Sequence, residues 1–399
     1  MRSITKLLMG LVVGAAVGPV PAVAQPGVEN PQTPGWVFTP SIALGGSWDD
    51  NVLLVDPAGE SPGDYATPIS PTATLDYRGR RTRFTGGYGG SLLVYRTLGE
   101  LNSSEQRVRA FFQHRPTERV TIFAQENFIN APTTDVLQLA GVPFYRVGAR
   151  SNTAGGGVEA IVARHTTLRG TYLLNSVSFE DFEDDLRLGQ QLDEGHAHQV
   201  LLTFARALSP HLTLGGEYEL RRAILSEAQD RFNIQTGSVT FRLQATPTIM
   251  LAGSAGVARL GPGLQHDGQT GPALSASIAR IGEYMTLSAG YRRSFIPSFG
   301  FGGTFQNEEW SGNLHVPFAR NRAYADGSIA WFDNDPLAEG PPSVRTVWLS
   351  GTIGYRVMRW LNLEGFYALS QQDTQRVGGD LGRKQIGFRI VAAKPVRIH

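Results

Sequence analysis

The sequence contains no cysteine and, beyond its first 24 residues, no long apolar stretch. The missing cysteines exclude disulfide bonds and thiolate metal sites, and they suit an exported protein, in which stray thiols are a liability. The missing apolar stretches exclude a later membrane-spanning helix, which needs about 20 consecutive apolar residues. Helical periodicity is almost absent, and the net charge of +1 indicates neither bulk nucleic-acid binding nor an acidic tail.

The N-terminus has the pattern of a secretory signal peptide. Arg2 and Lys6 supply positive charge, residues 7–17 form a short apolar run, and residues 22–24 (Ala-Val-Ala) match a small-residue cleavage site. The alternative, an N-terminal membrane anchor, needs a longer apolar run. We therefore expect residues 1–24 to be removed on export.

A short pattern recurs roughly every 40 residues, a period found in solenoids, propellers and barrels built from hairpins. Within each copy, apolar and polar residues alternate. In one copy Leu212, Leu214 and Tyr218 share a face, while Thr213 and Glu217 share the other. Period two predicts strands with one apolar and one polar face, and segments of about ten residues fit tilted membrane-crossing strands. A propeller, with shorter strands buried on both faces, is the alternative.

Short polar turns alternate with longer loops along the chain. Eight turns and nine loops make 17 connections and hence 18 strands, with 16 as the alternative count. The sequence thus predicts an all-β fold, an antiparallel up-and-down barrel in the bacterial outer membrane with both termini periplasmic. The expected division of the chain is signal peptide 1–24, periplasmic segment 25–35, transmembrane barrel 36–392 and periplasmic tail 393–399.

The polar parity of these strands should line the barrel. We expect arginine to outnumber the acids there, which would favour anionic solutes or sugars; the alternative is that the charges simply pair across the lumen. Glu126 breaks the pattern, because strict alternation points it at lipid, so a bulge or a rim position is expected. The predicted pore-lining residues are Arg83, Arg107, Arg109, Arg169, Glu217, Glu219, Arg221, Arg292, Asp326, Arg356, Glu364 and Arg389.

Catalytic and metal-binding motifs are missing from the sequence. His196 and His198 share a strand face but flank a loop, and no nucleophile, phosphate-loop or dinucleotide motif occurs. We expect neither enzymatic activity nor a cofactor nor a bound metal. Two acidic segments, 49–51 and 180–185, could bind divalent ions that bridge lipopolysaccharide, or could simply be solvated loops.

The opening strand, residues 39–53, resembles the start of the β-barrel porin 2 family, whose members and relatives are encoded with exopolysaccharide and exosortase systems. The similarity centres on Trp48, Asp49, Asp50 and Asn51. It implies an 18-stranded conduit that helps polysaccharide to cross the outer membrane. One departure from barrel patterns is that residues 392–399 follow the last plausible strand, where an aromatic residue read by the insertion machinery usually ends the chain.

Three functions follow from these observations: a polysaccharide-export conduit, favoured by the resemblance, a general diffusion porin for small solutes, or a plugged structural or adhesive barrel acting through its loops. The loops at 49–67 and 131–149 are long enough to fold inward and narrow the pore. The expected partners are outer-membrane lipid and lipopolysaccharide, the barrel-insertion machinery, and, for the conduit, polysaccharide and a periplasmic export protein. Nucleic acid is not expected.

Overall fold

The computed structural model describes residues 35–55, 62–180, 192–226, 230–263, 268–337, 341–374 and 380–398. The predicted signal peptide and nearly all of the acidic segment 180–185, from residue 181 onward, lie outside the described residues. No helix in these ranges has the length and apolar character needed to cross a membrane. Two short 3₁₀ helices occur in them, at Gly99–Leu101 and Thr134–Leu137.

Eighteen long strands follow one another through the described part of the chain, because alternating side chains and β-branched or aromatic residues favour a pleated backbone. They are β1 Gly35–Asp49, β2 Asp64–Arg78, β3 Thr82–Tyr95, β4 Ser103–His114, β5 Val120–Ala131, β6 Ala149–Ala163, β7 Thr166–Phe179, β8 Gly195–Ala207, β9 Leu212–Leu225, β10 Arg231–Gln244, β11 Ile249–Leu260, β12 Gln269–Ile281, β13 Thr286–Pro297, β14 Thr304–Phe318, β15 Ala323–Pro336, β16 Val344–Met358, β17 Leu361–Thr374 and β18 Asp380–Ala393.

The strands close into a barrel. Each strand pairs antiparallel with its neighbours in sequence, and β1 pairs with β18 from Ser41 opposite Ala393 to Asp49 opposite Gln385. Closure gives each of these eighteen strands a partner on both sides, which a strand structure needs in order to cross hydrocarbon. The predicted all-β, antiparallel, up-and-down barrel of 18 strands is confirmed, and neither 16 strands nor a propeller describes the chain.

Short turns and long loops lie at opposite ends of the barrel, which we call the turn end and the loop end. The first and last described residues are both at the turn end. The predicted tail is not separate from the barrel: beyond a break at Pro395, the short strand β19 (Val396–Ile398) pairs with residues 36–38 of β1. It therefore extends the closing seam by three residues.

The outer face of the barrel is apolar. Large hydrophobic side chains alternate outward along the strands, as Leu214 and Tyr218 do on β9. Aromatic pairs stand at both ends of this belt, with Trp36 beside Tyr77 at the turn end and Trp48 against Tyr65 at the loop end, both at 4.8 Å between ring centroids. An apolar belt bounded by aromatic residues is the exterior of an outer-membrane barrel.

At Glu126 the sequence prediction of a bulge or a rim position was wrong. The β5 ladder runs without a register shift past Glu126, which lies opposite Ala110 on β4 and Ala154 on β6. Glu126 therefore keeps the outward parity near the middle of its strand, with neither a bulge nor a rim position. Its small alanine neighbours leave space for its side chain on the outer surface.

Candidate functional site

The interior of the barrel is crossed by the connection between β5 and β6, residues 132–148, which we call the inner loop. It begins with the 3₁₀ helix Thr134–Leu137 and reaches the inner wall formed by β16, β17 and β18. Within the loop, the backbone N–H of Tyr145 donates to Oγ1 of Thr134 (2.7 Å), so the two halves hold each other. Burial raises the pKa of the Tyr145 hydroxyl, which therefore stays protonated.

Asp135 attaches the inner loop to the opposite wall. Its carboxylate Oδ2 accepts hydrogen bonds from Nη1 of Arg383 (3.3 Å) and from Oγ of Ser370 (3.1 Å). Its backbone carbonyl accepts a third from Nε1 of Trp348 (3.0 Å). Asp135 and Arg383 are both buried, so the carboxylate depends on these partners rather than on water.

Arg383 joins the loop to the closing seam of the barrel. Its Nη2 donates to Oδ2 of Asp49 at 2.6 Å, and its Nε donates to both oxygens of that carboxylate. Gln385 Nε2 also donates to Asp49 Oδ2, at 2.9 Å. The side chains of Arg383 and Asp49 are only 4% and 1% exposed. One buried guanidinium thus neutralises acids from two segments, the first strand and the inner loop.

The first-loop motif closes the barrel at the loop end. Beyond the Asp49 contact, Asp50 Oδ1 accepts the backbone N–H of Lys384 (2.6 Å). Asn51 Nδ2 donates to the carbonyl of Gly382 (2.8 Å), and its Oδ1 accepts the N–H of Val55. Trp48, in contrast, points outward into the aromatic belt. The acidic segment 49–51 is therefore a set of bonded seam residues and not a solvated loop.

The far side of the inner loop sits on apolar side chains. Leu137 and Val142 pack in a buried cluster with residues near the loop ends of β5 to β13, including Leu225, Phe232 and Leu260. The inner face was expected to be polar throughout, and at this end it is not. The inner face is apolar here because these inward side chains pack against the inner loop, which keeps them from water.

Polar contacts fix the second half of the inner loop. Gln372 on β17 accepts the N–H of Phe144 (2.9 Å) and donates to the carbonyl of Val142 (2.9 Å). The Phe144 ring also packs against Trp348, 5.6 Å away. Arg146 donates from its two terminal nitrogens to the carbonyls of Val52 and Leu101, both at 2.7 Å. The loop is thus attached on three sides.

A cavity of about 200 Å³ remains between the inner loop and the wall formed by β1–β4, β17 and β18. Four serines from successive strands line one side of it: Ser47, Ser70, Ser91 and Ser103. Its charged lining residues are Glu105, Asp135, Arg146, Arg383 and Arg389. Hydroxyl groups and guanidinium groups together can replace the hydration of a small polar or anionic solute.

The structure places all twelve predicted pore-lining residues on the inner parity of their strands. Four of them form two local pairs: Arg221 with Glu219 at 2.8 Å and Arg389 with Glu364 at 2.6 Å. Arg107 pairs with Glu105 in the same way. These ion pairs join residues on one strand or on adjacent strands, rather than across the lumen. Asp326 pairs with His315 on β14 (2.6 Å), and Arg169 lies over the ring of Phe123.

The expected excess of arginine on the inner face is largely cancelled. Asp76, Glu105, Glu159 and Glu309 share the inner parity, the last two directly opposite Arg169 and Arg292 on neighbouring strands. These acids reduce the arginine excess that the sequence pattern predicts, because they face several of the arginines on neighbouring strands. Only at particular places does the inner face carry a cation without an acidic partner in the described part. Arg109 and Arg146 are two such cations.

A second buried cluster lies at the turn end. The hydroxyl of Tyr324 donates to Glu364 Oε1 (2.5 Å), and Arg389 Nε donates to the other oxygen (2.6 Å). The Tyr324 ring covers Gly354 on the next strand, where any Cβ would overlap it. This cluster links β15 to β18 across three strand interfaces.

Arg383, Asp135 and Arg146 are the residues that the sequence analysis missed. Arg383 has the inward parity of β18, which was a usable signal. Asp135 and Arg146 lie in a loop, where alternation gives no information.

Comparison with known proteins finds similar solved structures but no relative by sequence. No protein-family model and no curated relative match the sequence. Among solved structures, the chain is similar to Acinetobacter baumannii OccAB4 (12% identity, TM-score 0.44, covering 92% of this chain and 100% of that one). It is also similar to the outer membrane protein OpdK from Pseudomonas aeruginosa (10%, 0.43, 90% and 99%) and to the siderophore receptor PirA from the same organism (9%, 0.43, 90% and 80%). The resemblance of the opening strand to the β-barrel porin 2 family gains no support from these comparisons.

Proposed function

We propose that the chain is a passive outer-membrane channel for small hydrophilic solutes, that it prefers anions, and that the inner loop sets the upper size of the solute. The observation that carries this proposal is the buried contact between Asp135 and Arg383, which holds the loop across the lumen. A barrel of this strand number is otherwise too wide to be filled by its own side chains. In this proposal the turn end of the barrel faces the periplasm.

The anion preference rests on Arg146 and Arg109. Arg146 lines the cavity and donates to backbone carbonyls, and it forms no ion pair with an acid in the described part of the chain. Arg109 lies on β4 two steps beyond Arg107, and its Nε donates to the neutral Asn127 (3.2 Å). Unneutralised charges near a constriction set the sign of the permeating ion.

The fixed inner loop favours this channel over the polysaccharide conduit that the opening strand implied. An extended polysaccharide needs a continuous bore, so export would require the loop to leave the wall. The buried polar contacts of Asp135 and Gln372 would then be broken together. Removing partners from buried, bonded groups costs several kcal/mol, roughly 1–3 for each group. A catalytic role has no place in this proposal.

Swelling of liposomes that contain the purified protein tests the size limit. Uncharged sugars from monosaccharide to tetrasaccharide should enter at rates that fall steeply with size, and small carboxylates should enter faster than neutral solutes of equal volume. Equal rates for all sugars would support the conduit instead. A complete lack of swelling would support a plugged structural barrel.

The reversal potential across a planar bilayer in a KCl gradient tests the charge preference. Wild type should select chloride, and Arg109→Gln should shift the potential towards that of potassium. Arg280→Gln is the matched control, since Arg280 is an exposed residue on the outer parity of β12. An unchanged potential in Arg109→Gln, or an equal shift in the control, would contradict the assignment.

A further inference from the structure

Basic and imidazole side chains gather on the outer face of β8–β11 near the loop end. Arg222 has the same parity as the exposed Tyr218, Arg231 that of Val239, and Arg259 that of Val257, so all three point away from the lumen. We call this group the basic patch, and its members are His196, His198, Arg222, Arg231 and Arg259.

Strand register brings the members together. His198 lies opposite Arg222, which in turn lies opposite Asn233. Two residues nearer the loop end, His196 and Arg231 flank Ile224 in the same way. Arg259 lies opposite Gln235, two residues nearer the turn end than Asn233. Because adjacent strands are about 4.8 Å apart, these side chains can reach one ligand. His198 Nδ1 also shares a hydrogen bond with the Tyr172 hydroxyl at 2.7 Å.

The arginines of the patch have no acidic partner among the residues that the structure describes. Arg222, Arg231 and Arg259 are exposed, and none forms an ion pair with another residue in the described ranges. Elsewhere at the loop end, outward arginines do have partners: Arg293 pairs with Glu308 at 3.1 Å, and Arg345 pairs with Asp333 at 3.4 Å. The charge of the patch is thus a local feature and not a property of the whole rim.

The basic patch lies at the edge of the apolar belt that is nearer the loop end. Arg222 is ten residues from Leu212 at the turn end of β9, which at about 3.3 Å per residue and a tilt near 45° is a rise of about 23 Å. That rise is close to the height of the lipid-facing band, which is about 25 Å. Directly below the patch the same strands expose Val200, Leu202, Tyr218 and Val239. Cations therefore stand above an apolar surface.

We propose that the basic patch binds the phosphate groups of a phosphorylated outer-leaflet glycolipid, whose acyl chains lie on the apolar surface below. Guanidinium groups match phosphate with paired hydrogen bonds, and imidazole and amide groups add donors. A soluble phosphate would gain nothing from the apolar surface, whereas a lipid uses both parts. The patch is on the opposite face of the strands from the lumen, so this binding rests on the proposed orientation of the barrel in the outer membrane but not on what passes through the lumen.

Native mass spectrometry of the purified full-length protein tests this binding. The probes are bisphosphorylated lipid A, its monophosphorylated form and inorganic phosphate. The triple variant Arg222→Gln/Arg231→Gln/Arg259→Gln should bind bisphosphorylated lipid A about 100-fold more weakly, and Arg222→Gln alone about fivefold more weakly. The control is Arg206→Gln/Arg280→Gln, which removes two exposed outward arginines from the turn end and should bind like wild type.

Heat-modifiable migration in gels checks that each variant is folded, and the single variant serves if the triple variant is not. Weaker binding of the monophosphorylated form supports the phosphate contact. Unchanged affinity in both patch variants would overturn the proposal, as would equal loss in the control. Inorganic phosphate that bound as tightly as lipid A would also overturn it, because the acyl chains would then contribute nothing.

Discussion

Replacing Asp135 by asparagine should loosen the inner loop without unfolding the barrel. The substitution keeps the size of the side chain but removes its charge. Arg383 then loses one of its two carboxylate partners. The amide oxygen can still accept at the Oδ2 position, but the amide N–H donors at the Oδ1 position face Nη1 of Arg383, which is itself a donor. The backbone contact with Trp348 is unaffected, so the loop keeps part of its attachment.

The free-energy cost of Asp135→Asn depends on which buried charges keep a partner. Arg383 still donates to Asp49 at 2.6 Å, so no buried charge is left alone. The loss is that of hydrogen bonds to a charged group, about 1.5–3 kcal/mol, which lowers the docking equilibrium of the loop about 10- to 150-fold. Arg383→Met should be far more harmful, because it leaves Asp49 and Asp135 buried without their cation, at about 3–5 kcal/mol.

Single-channel recording is the assay. Asp135→Asn should show larger or longer openings than wild type, at an unchanged folded fraction in heat-modifiability gels. Arg383→Met should instead lower the folded fraction. Asp333→Asn is the matched control, because that acid also pairs with an arginine at the loop end but lies on the outer surface. Identical recordings from wild type and Asp135→Asn would refute the idea that this contact holds the loop.

Two further predictions concern the turn-end cluster, and both are measured as the temperature at which heat-modifiable migration is lost. Gly354→Ala should destabilise the barrel by about 1–3 kcal/mol, because the added methyl group overlaps the Tyr324 ring. Gly351→Ala, with only ordinary contact near its Cβ position, should behave like wild type, and an equal loss in both would contradict the packing argument. Glu364→Gln should cost about 1.5–3 kcal/mol, since it removes the charged acceptor of two hydrogen bonds, and an unchanged transition would show that the carboxylate is dispensable.

The barrel itself could be predicted from the sequence because its signals are local. Period-two alternation assigns every strand residue to a face, and polar turns separate the strands. The same rule placed Arg221 and Glu364 on the inner face, where the structure has them. It also places Glu159 and Glu309 there, so the balance of charge was within reach of sequence reasoning.

The loop that narrows the lumen could be anticipated only by its length. Asp135 and Arg383 are 248 positions apart, and no alternation pattern connects a loop residue with a strand on the opposite wall. The apolar side chains under the inner loop could not be recognised from the sequence for a related reason. Inward Leu225 and Phe232 resemble misplaced lipid-facing residues until the inner loop is seen to cover them.

The Asp49–Asn51 segment shows how a resemblance can mark structure rather than substrate. These residues bond to Arg383, Lys384 and Gly382 across the seam between the first and last strands. An aspartate and an asparagine that close a barrel are useful whatever passes through it. Their presence is therefore consistent with more than one transported substrate.

Comparing single-channel conductance in wild type and in a variant that lacks residues 134–146 tests the central claim most directly. If the inner loop narrows an otherwise wide barrel, wild type should show small, steady openings, and the shortened variant should show a several-fold larger conductance. A wild-type conductance already as large as that of the shortened variant would contradict the account, as would the absence of current in both.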